Sequence, residues 1–206
     1  MLDWNTVVTA VTTLAAAIFG GYMGARATKS ATIRGAELAW ENEHKRQAEA
    51  QRAVVRGFLL AIRGEVETIW QGYVHEVADR IESLQPGQPL RFVYRLRQQY
   101  FTVYESNCSL IVQVPDDELR RAIVETYVTA KGLIDTHLVN NDLNDKYDAF
   151  LETDQRTAAL EQLRAFAPEM KTAYELTKAS VARLMQLMNQ SDLVAAPEQE
   201  QLPSAN

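Results

Sequence analysis

Residues 58–84 read FLLAIRGEVETIWQGYVHEVADRIESL, and this stretch decides the fold class. Phe58, Ile62, Val66, Ile69, Tyr73, Val77, Ile81 and Leu84 recur at steps of 4, 4, 3, 4, 4, 4 and 3. That spacing lays one apolar stripe along a helix. Leu59, Trp70 and Val74 widen the stripe. A stripe this broad suits a globular helical bundle better than a narrow two-stranded seam.

Downstream, Gln85-Pro-Gly-Gln-Pro89 places two prolines and a glycine in five residues and breaks the helix. The pattern then predicts a second helix over 92–112, with Leu96, Tyr100, Val103, Asn107 and Leu110 on one side. Ile111 to Val114 has strand-like composition, but an isolated strand has nothing to pair with. Pro115-Asp116-Asp117-Glu118 is a helix start, since proline suits the first turn and carboxylates complement the positive dipole end. The third helix carries Leu119, Ile123, Tyr127, Ala130, Ile134 and Leu138, and is expected to stop at Asn140-Asn141-Asp142. Residues 142–154 are acidic and turn-rich, with Tyr147, Phe150 and Leu151 expected to pin them to the bundle. Thr153 or Asp154 caps a fourth helix carrying Leu160, Leu163, Phe166, Met170, Tyr174, Val181, Leu184 and Met188, which Pro168 should kink or split.

Upstream, the polar stretch 26–53 is rich in strong helix formers and reads as a helical stalk. Between Arg26 and Arg56 seven Lys or Arg oppose four Glu. Before it, no charge occurs between Asp3 and Arg26. A helix over 4–25 would extend roughly 33 Å, enough to cross a hydrocarbon core of about 30 Å. Trp4 and Tyr22 lie near the two ends, where amphipathic rings favour the interface. The segment before Trp4 has no Lys or Arg, unlike the basic start of a secretory signal. Arg26, Lys29 and Arg34 follow the stretch, so the positive-inside rule places the C-terminal part in the cytoplasm. Thr9, Thr13, Ala17 and Gly21 form one row of small residues at fourfold spacing, and Ala16, Gly20 and Gly24 form another. Such rows let membrane helices approach closely.

The expected architecture is therefore all-α: a transmembrane helix at 4–25, a stalk at 26–53, a four-helix cytoplasmic bundle at 54–191 and a disordered tail at 192–206. The chain has 206 residues and a net charge of −6. The acidic balance argues against a nucleic-acid partner, and a single cysteine excludes an internal disulfide framework and a Cys-based zinc site.

Catalytic signatures are sparse. His44, His75 and His137 belong to no HExxH. His75 and Asp79 stand four residues apart and could share a metal, but this is more simply a surface histidine beside an acid. The calcium-loop look of Asp142-Leu-Asn144-Asp-Lys146 fails for want of the turn glycine and the distal glutamate. Cys108 is expected to be a buried structural thiol. No phosphate loop and no GxSxG occurs. The expectation is a protein that is not an enzyme, with no catalytic, cofactor or metal site.

The stretch 100–142 resembles a segment of uncharacterised bacterial and phage-associated single-pass membrane proteins with a helical cytoplasmic domain. The residues that carry the likeness are Tyr104, Asn107, Leu110, Ile111, Glu118, Leu119, Arg120, Ile123, Val124, Tyr127, Lys131, Gly132, Leu133, Ile134 and Asp135. The resemblance implies the architecture above and transfers no catalytic residue. In architecture alone the chain is also similar to the small membrane accessory protein of one RNA-targeting CRISPR type, which assembles into a pore. The functional expectation is a protein of the bacterial inner membrane whose partners are the bilayer, further copies of itself and a cytoplasmic protein. The alternative is an oligomeric pore, a depolarising effector of a bacterial defence system.

Overall fold

The computed structural model describes residues 4–95 and 100–195, with residues 4–33 and 195 described by backbone alone. All described elements are helical apart from turns and extended connections, and they form two compact units, Met1–Arg52 and Ala53–Asn206. Helix α1 spans Trp4–Tyr73 and contributes to both. Among the described residues no helix is long and apolar enough to cross a membrane. The side chains of the 4–25 stretch, its small-residue rows and the flanking Arg26 and Lys29 lie outside the described residues. Arg34 is described and is exposed.

In the first unit, residues 34–52 are exposed on every side. Leu38 and Trp40 stand in solvent at 60% and 65% exposure. The Trp40 ring meets His44 edge-on at 4.0 Å, and Gln47 Nε2 donates to Glu43 Oε1 at 3.1 Å.

In the second unit the stripe of 58–84 faces inward as its spacing requires. Phe58, Ile62, Val66, Tyr73, Val77 and Ile81 are buried, and Ile69 and Leu84 are half-buried. Ile69, Tyr73, Val77 and Ile81 follow in three consecutive steps of four. In a regular α-helix that drifts about 120° around the axis. The structure absorbs the drift with a π-helical turn at Val74–Ala78, after which α2 covers Asp79–Glu82. Val74, expected to widen the stripe, is turned outward.

Next comes the turn at Gln85–Gln88. Gln88 N donates to Gln85 O at 3.0 Å, and Gly87 adopts φ +80°, the type II pattern with Pro86 ahead of glycine. Among the described residues of 92–112 the expected single helix is not present. Leu90 to Arg95 is extended, and short helices follow: α3 at Thr102–Asn107 and a 3₁₀ segment at Cys108–Gln113. Among the described residues the bundle therefore has three long helices rather than four. Cys108 is exposed, not buried, because the 3₁₀ segment turns only Leu110 and Ile111 toward the core.

Helix α4, Asp117–Ala149, begins within the expected acidic run, but Pro115 lies ahead of the helix rather than in its first turn and Asp116 is the N-cap: its Oδ1 accepts from Glu118 N at 2.8 Å and Leu119 N at 3.1 Å. It does not stop at Asn140, and its inward face departs from the expected stripe. Leu133, His137, Asn140 and Asn144 are buried, while Leu138 is turned outward. The stretch expected as turns is mostly helix, and Leu151 is 97% exposed rather than a pin.

Helix α5, Thr153–Gln190, runs through Pro168 without a break. Pro168 and Arg164 both face solvent, so water can reach the carbonyl that proline leaves unpaired. Leu163 before it and Met170 after it are wholly buried and hold both halves on the bundle. Neither Thr153 nor Asp154 caps α5; its N-cap is Glu152, with no side-chain bond. Helix α6, Asp192–Ala195, packs Leu193 and Val194 against the core, and the rest of the expected tail, 196–206, lies outside the described residues.

The core has two parts. One gathers Phe58, Ile62, Leu119, Ile123, Leu184 and Met188; the other gathers Tyr73, Ile81, Leu90, Tyr94, Met170 and Tyr174. Each such side chain contributes about 1.5–3 kcal/mol on burial. Between α4 and α5, Thr126 and Thr177 hydroxyls donate across to Ser180 O and Thr129 O at 3.2 and 3.1 Å. Small hydroxyl residues let the two helices approach closely and satisfy the polar groups that the approach buries.

Candidate functional site

The densest polar arrangement lies where α4 meets the extended segment 90–95. Leu90 and Tyr94 turn inward while Arg91 and Val93 turn outward, the alternation of a strand. Among the described residues no strand pairs with it. Its main chain is read by three asparagines of α4. Asn144 Nδ2 donates to Leu90 O at 3.1 Å, and Asn140 Nδ2 donates to Phe92 O at 2.9 Å. Asn141 makes both bonds of a ladder rung, donating to Tyr94 O at 2.8 Å and accepting from Tyr94 N at 3.0 Å. Arg91 closes the outer edge. It donates to Asn144 Oδ1 at 2.8 Å, pairs with Asp148 and lies 3.9 Å over the Tyr147 ring, which Arg156 also approaches at 4.6 Å.

Beneath this strap is an aromatic cluster. Tyr73 meets Tyr94 and His137 edge-on, with ring centres 5.6 Å apart in each case, and Trp70 stacks on Tyr73 and Tyr174. Tyr73 Oη and His137 Nε2 share a hydrogen bond of 2.8 Å. Burial pushes the Tyr73 hydroxyl well above the ordinary phenol range, with Tyr94 and Tyr174 adding to it. Burial also pulls the His137 imidazole down to about 4, so it is neutral near pH 7. His137 Nδ1 and Asn140 Oδ1 are buried without a protein partner. A cavity lined by Tyr73, Tyr94 and His137 measures about 40 Å³, water-sized against the ~300–1,000 Å³ of ligand pockets. The Tyr–His pair itself is buried.

Two carboxylates anchor the surroundings. Glu82 accepts from Lys178 Nζ at 2.7 Å and Tyr174 Oη at 2.6 Å, and these bonds, Lys178 first, hold its carboxyl below the usual range. Glu65 crowns the start of α3: it accepts from Val103 N at 2.7 Å and Tyr104 N at 3.2 Å, and also from Tyr127 Oη at 2.7 Å. An acceptor at a helix start satisfies donors that have no partner within the helix.

Elsewhere on this unit an open groove of about 680 Å³ runs between Val112 and Val128. Val112 and Val128 are 77% and 63% exposed, and Arg120, Arg121 and Glu125 rim the apolar floor.

His75 and Asp79 are both exposed, and among the described residues no group of three potential ligands gathers for a metal ion. Asn144, once the centre of a faint calcium-loop pattern, is helical and committed to the strap. The residues behind the 100–142 resemblance are mostly structural. Leu119, Ile123, Tyr127 and Leu133 are core, Glu118 and Lys131 form ion pairs, and Asn107 Nδ2 donates to Val103 O at 2.9 Å. The asparagine ladder and the Glu65 crown were not foreseen; the alternation of Leu90, Phe92 and Tyr94 was the available signal. No protein-family model, curated protein or solved structure matches the chain.

Proposed function

We propose that this chain is a single-pass protein of a bacterial inner membrane, not an enzyme, which acts by associating with further copies and docking a cytoplasmic protein. The observation that carries the reading is the charge-free sequence 4–25, bounded by Asp3 and followed by Arg26, Lys29 and Arg34. On this reading the span associates through Thr9, Thr13, Ala17 and Gly21 or through Ala16, Gly20 and Gly24, and the unit Ala53–Asn206 faces the cytoplasm. Docking is favoured over catalysis because the Tyr73–His137 pair is buried, while the Val112–Val128 groove offers apolar surface to solvent.

Carbonate extraction of membranes tests the anchor. The full chain should stay in the pellet, and removal of residues 4–25 should release it; extraction of the intact chain would refute the membrane reading. The mass of the detergent-solubilised protein tests association, which Gly20→Leu with Gly24→Leu should weaken. A second reading, an oligomeric pore, is favoured by Thr9, Thr12 and Thr13 in the span, whose hydroxyls tolerate a wet lumen. Dye-loaded liposomes decide it: an assembled oligomer that releases no dye is not a pore.

A further inference from the structure

Helix α4 carries a second face, turned away from the core, that the bundle leaves uncovered. Arg121, Val124, Val128, Gly132, Asp135 and Val139 follow at steps of 3, 4, 4, 3 and 4. They fall within about 80° of one another around the helix, and all six are exposed. The first three line the open groove beside Val112. A side chain begun at Gly132 would meet nothing within 4 Å. Apolar surface grouped in this way marks a contact with another molecule.

The charges on this face select its occupant. Nearby, Glu118 and Glu125 are held by Arg183, Arg120 by Asp117 and Lys131 by Glu105. Among the described residues Arg121 and Asp135 have no ion-pair partner. They cannot serve each other within one chain, being about 21 Å apart along the helix. Arg121 stands seven residues before Val128, and Asp135 stands seven after it. A two-fold axis at Val128 therefore sets each Arg121 against the Asp135 of another copy. The same axis sets Val128 against itself and Val124 against the bare backbone at Gly132, where there is room for it. No like charges meet along this seam. A parallel pair in register would instead set Arg121 against Arg121 and Asp135 against Asp135.

We propose that α4 pairs antiparallel with α4 of a second copy about an axis at Val128, with Arg121 bonded to Asp135 at both ends. The proposal deepens the association with further copies in the reading above and rests on that part of it alone. If both copies are anchored in one bilayer, the axis stands along its normal. The seam from Asp117 to Val139 extends about 33 Å. With the 3₁₀ segment at Val112 beside it, a strip roughly 15 Å wide covers on the order of 1,000 Å² over both copies, the lower limit of a specific interface. The pairing is accordingly reversible, and its exposed ion pairs select the register more than they strengthen it.

Disulfide formation tests this with the full chain in detergent, in a Cys108→Ser background. Val128→Cys, on the axis, should form the covalent dimer at least tenfold faster than Gln162→Cys on α5. Adding Arg121→Asp or Asp135→Arg alone sets like charges together and should slow the Val128→Cys dimer about fivefold. Adding both exchanges the charges and should restore the rate to within about twofold, a rescue that can only run between copies. All four positions are exposed, so folding is not at stake. Equal rates at Val128→Cys and Gln162→Cys, or a loss that the double exchange fails to restore, overturn the pairing. The mass of the uncross-linked chain separates the two ideas. An oligomer with a slow Val128→Cys overturns only the pairing and leaves the groove to a foreign protein or to residues 196–206, and a monomer overturns the association as well.

Discussion

Asn144→Ala should unfasten the strap. Asn144 is 2% exposed and carries three bonds: it donates to Leu90 O and Asn140 O and accepts from Arg91. The bond from the guanidinium is worth about 1.5–3 kcal/mol and each neutral bond about 0.5–1.5, while the buried Leu90 carbonyl left behind costs about 1–3. These terms overlap, and alanine recovers about 0.5 kcal/mol of helix propensity. The net loss should be about 2–3 kcal/mol, a large part of the 5–15 kcal/mol that holds an ordinary domain together. For a unit of this size that lowers Tm by about 5–10 °C. Circular dichroism of the full chain in detergent measures it, with hydrogen exchange at Leu90 and Tyr94 as the local readout. Asn42→Ala, on the exposed stalk, should shift stability by less than about 0.5 kcal/mol. If Asn144→Ala stays within that same margin and exchange at Tyr94 is unchanged, the asparagines do not hold the strap.

His137 should make stability depend on pH. Its folded pKa of about 4 lies below the ordinary value of 6.5, so the unfolded chain binds the extra proton between those limits and stability falls as pH drops through them. The loss is on the order of 3 kcal/mol, and urea titrations at pH 7 and pH 4.5 should show a slope that His137→Leu flattens. Glu65→Ala should cost about 2–3 kcal/mol and Glu65→Gln less, since the amide oxygen still accepts from Val103 N or Tyr127 Oη; equal costs for the two would refute the crown. Pro168→Ala restores an N–H to an exposed helix position and should stabilise the chain by about 1–3 kcal/mol, read as a higher Tm.

Where burial follows a local repeat, the fold was legible in advance. The stripe from Phe58 to Ile81, the acidic start of α4 and the inward face of α5 at Leu163, Met170, Tyr174, Val181, Leu184 and Met188 all follow from spacing and end chemistry. The strap was not, although Leu90, Phe92 and Tyr94 alternate openly. An extended segment needs partners for its main chain, and these come from side chains about 50 residues later rather than from a strand. The same fact explains the misplaced end of α4. Asparagine commonly ends helices because its amide competes for its own backbone, but Asn140, Asn141 and Asn144 spend their amides on the strap. Cys108 was misjudged because an apolar neighbourhood in sequence was equated with burial, and 3₁₀ geometry separates the two. The candidate site shared this limit: His137 was visible as a residue, yet its enclosure by Tyr73 and Tyr94 depends on contacts distant in sequence.

The π-helical turn at Val74–Ala78 also bears on how this chain can change length. Such a turn is an α-helical turn holding one surplus residue. Deleting a single residue between Val74 and Ala78 would convert it to a regular turn and leave Tyr73 and Ile81 facing the core. The same deletion near Phe58 would swing everything beyond it by about 100° and expose the stripe. In a lineage of related chains, one-residue gaps between Phe58 and Ile81 should therefore collect at 74–78, where the wide turn lets the helix be shortened without loss of its core.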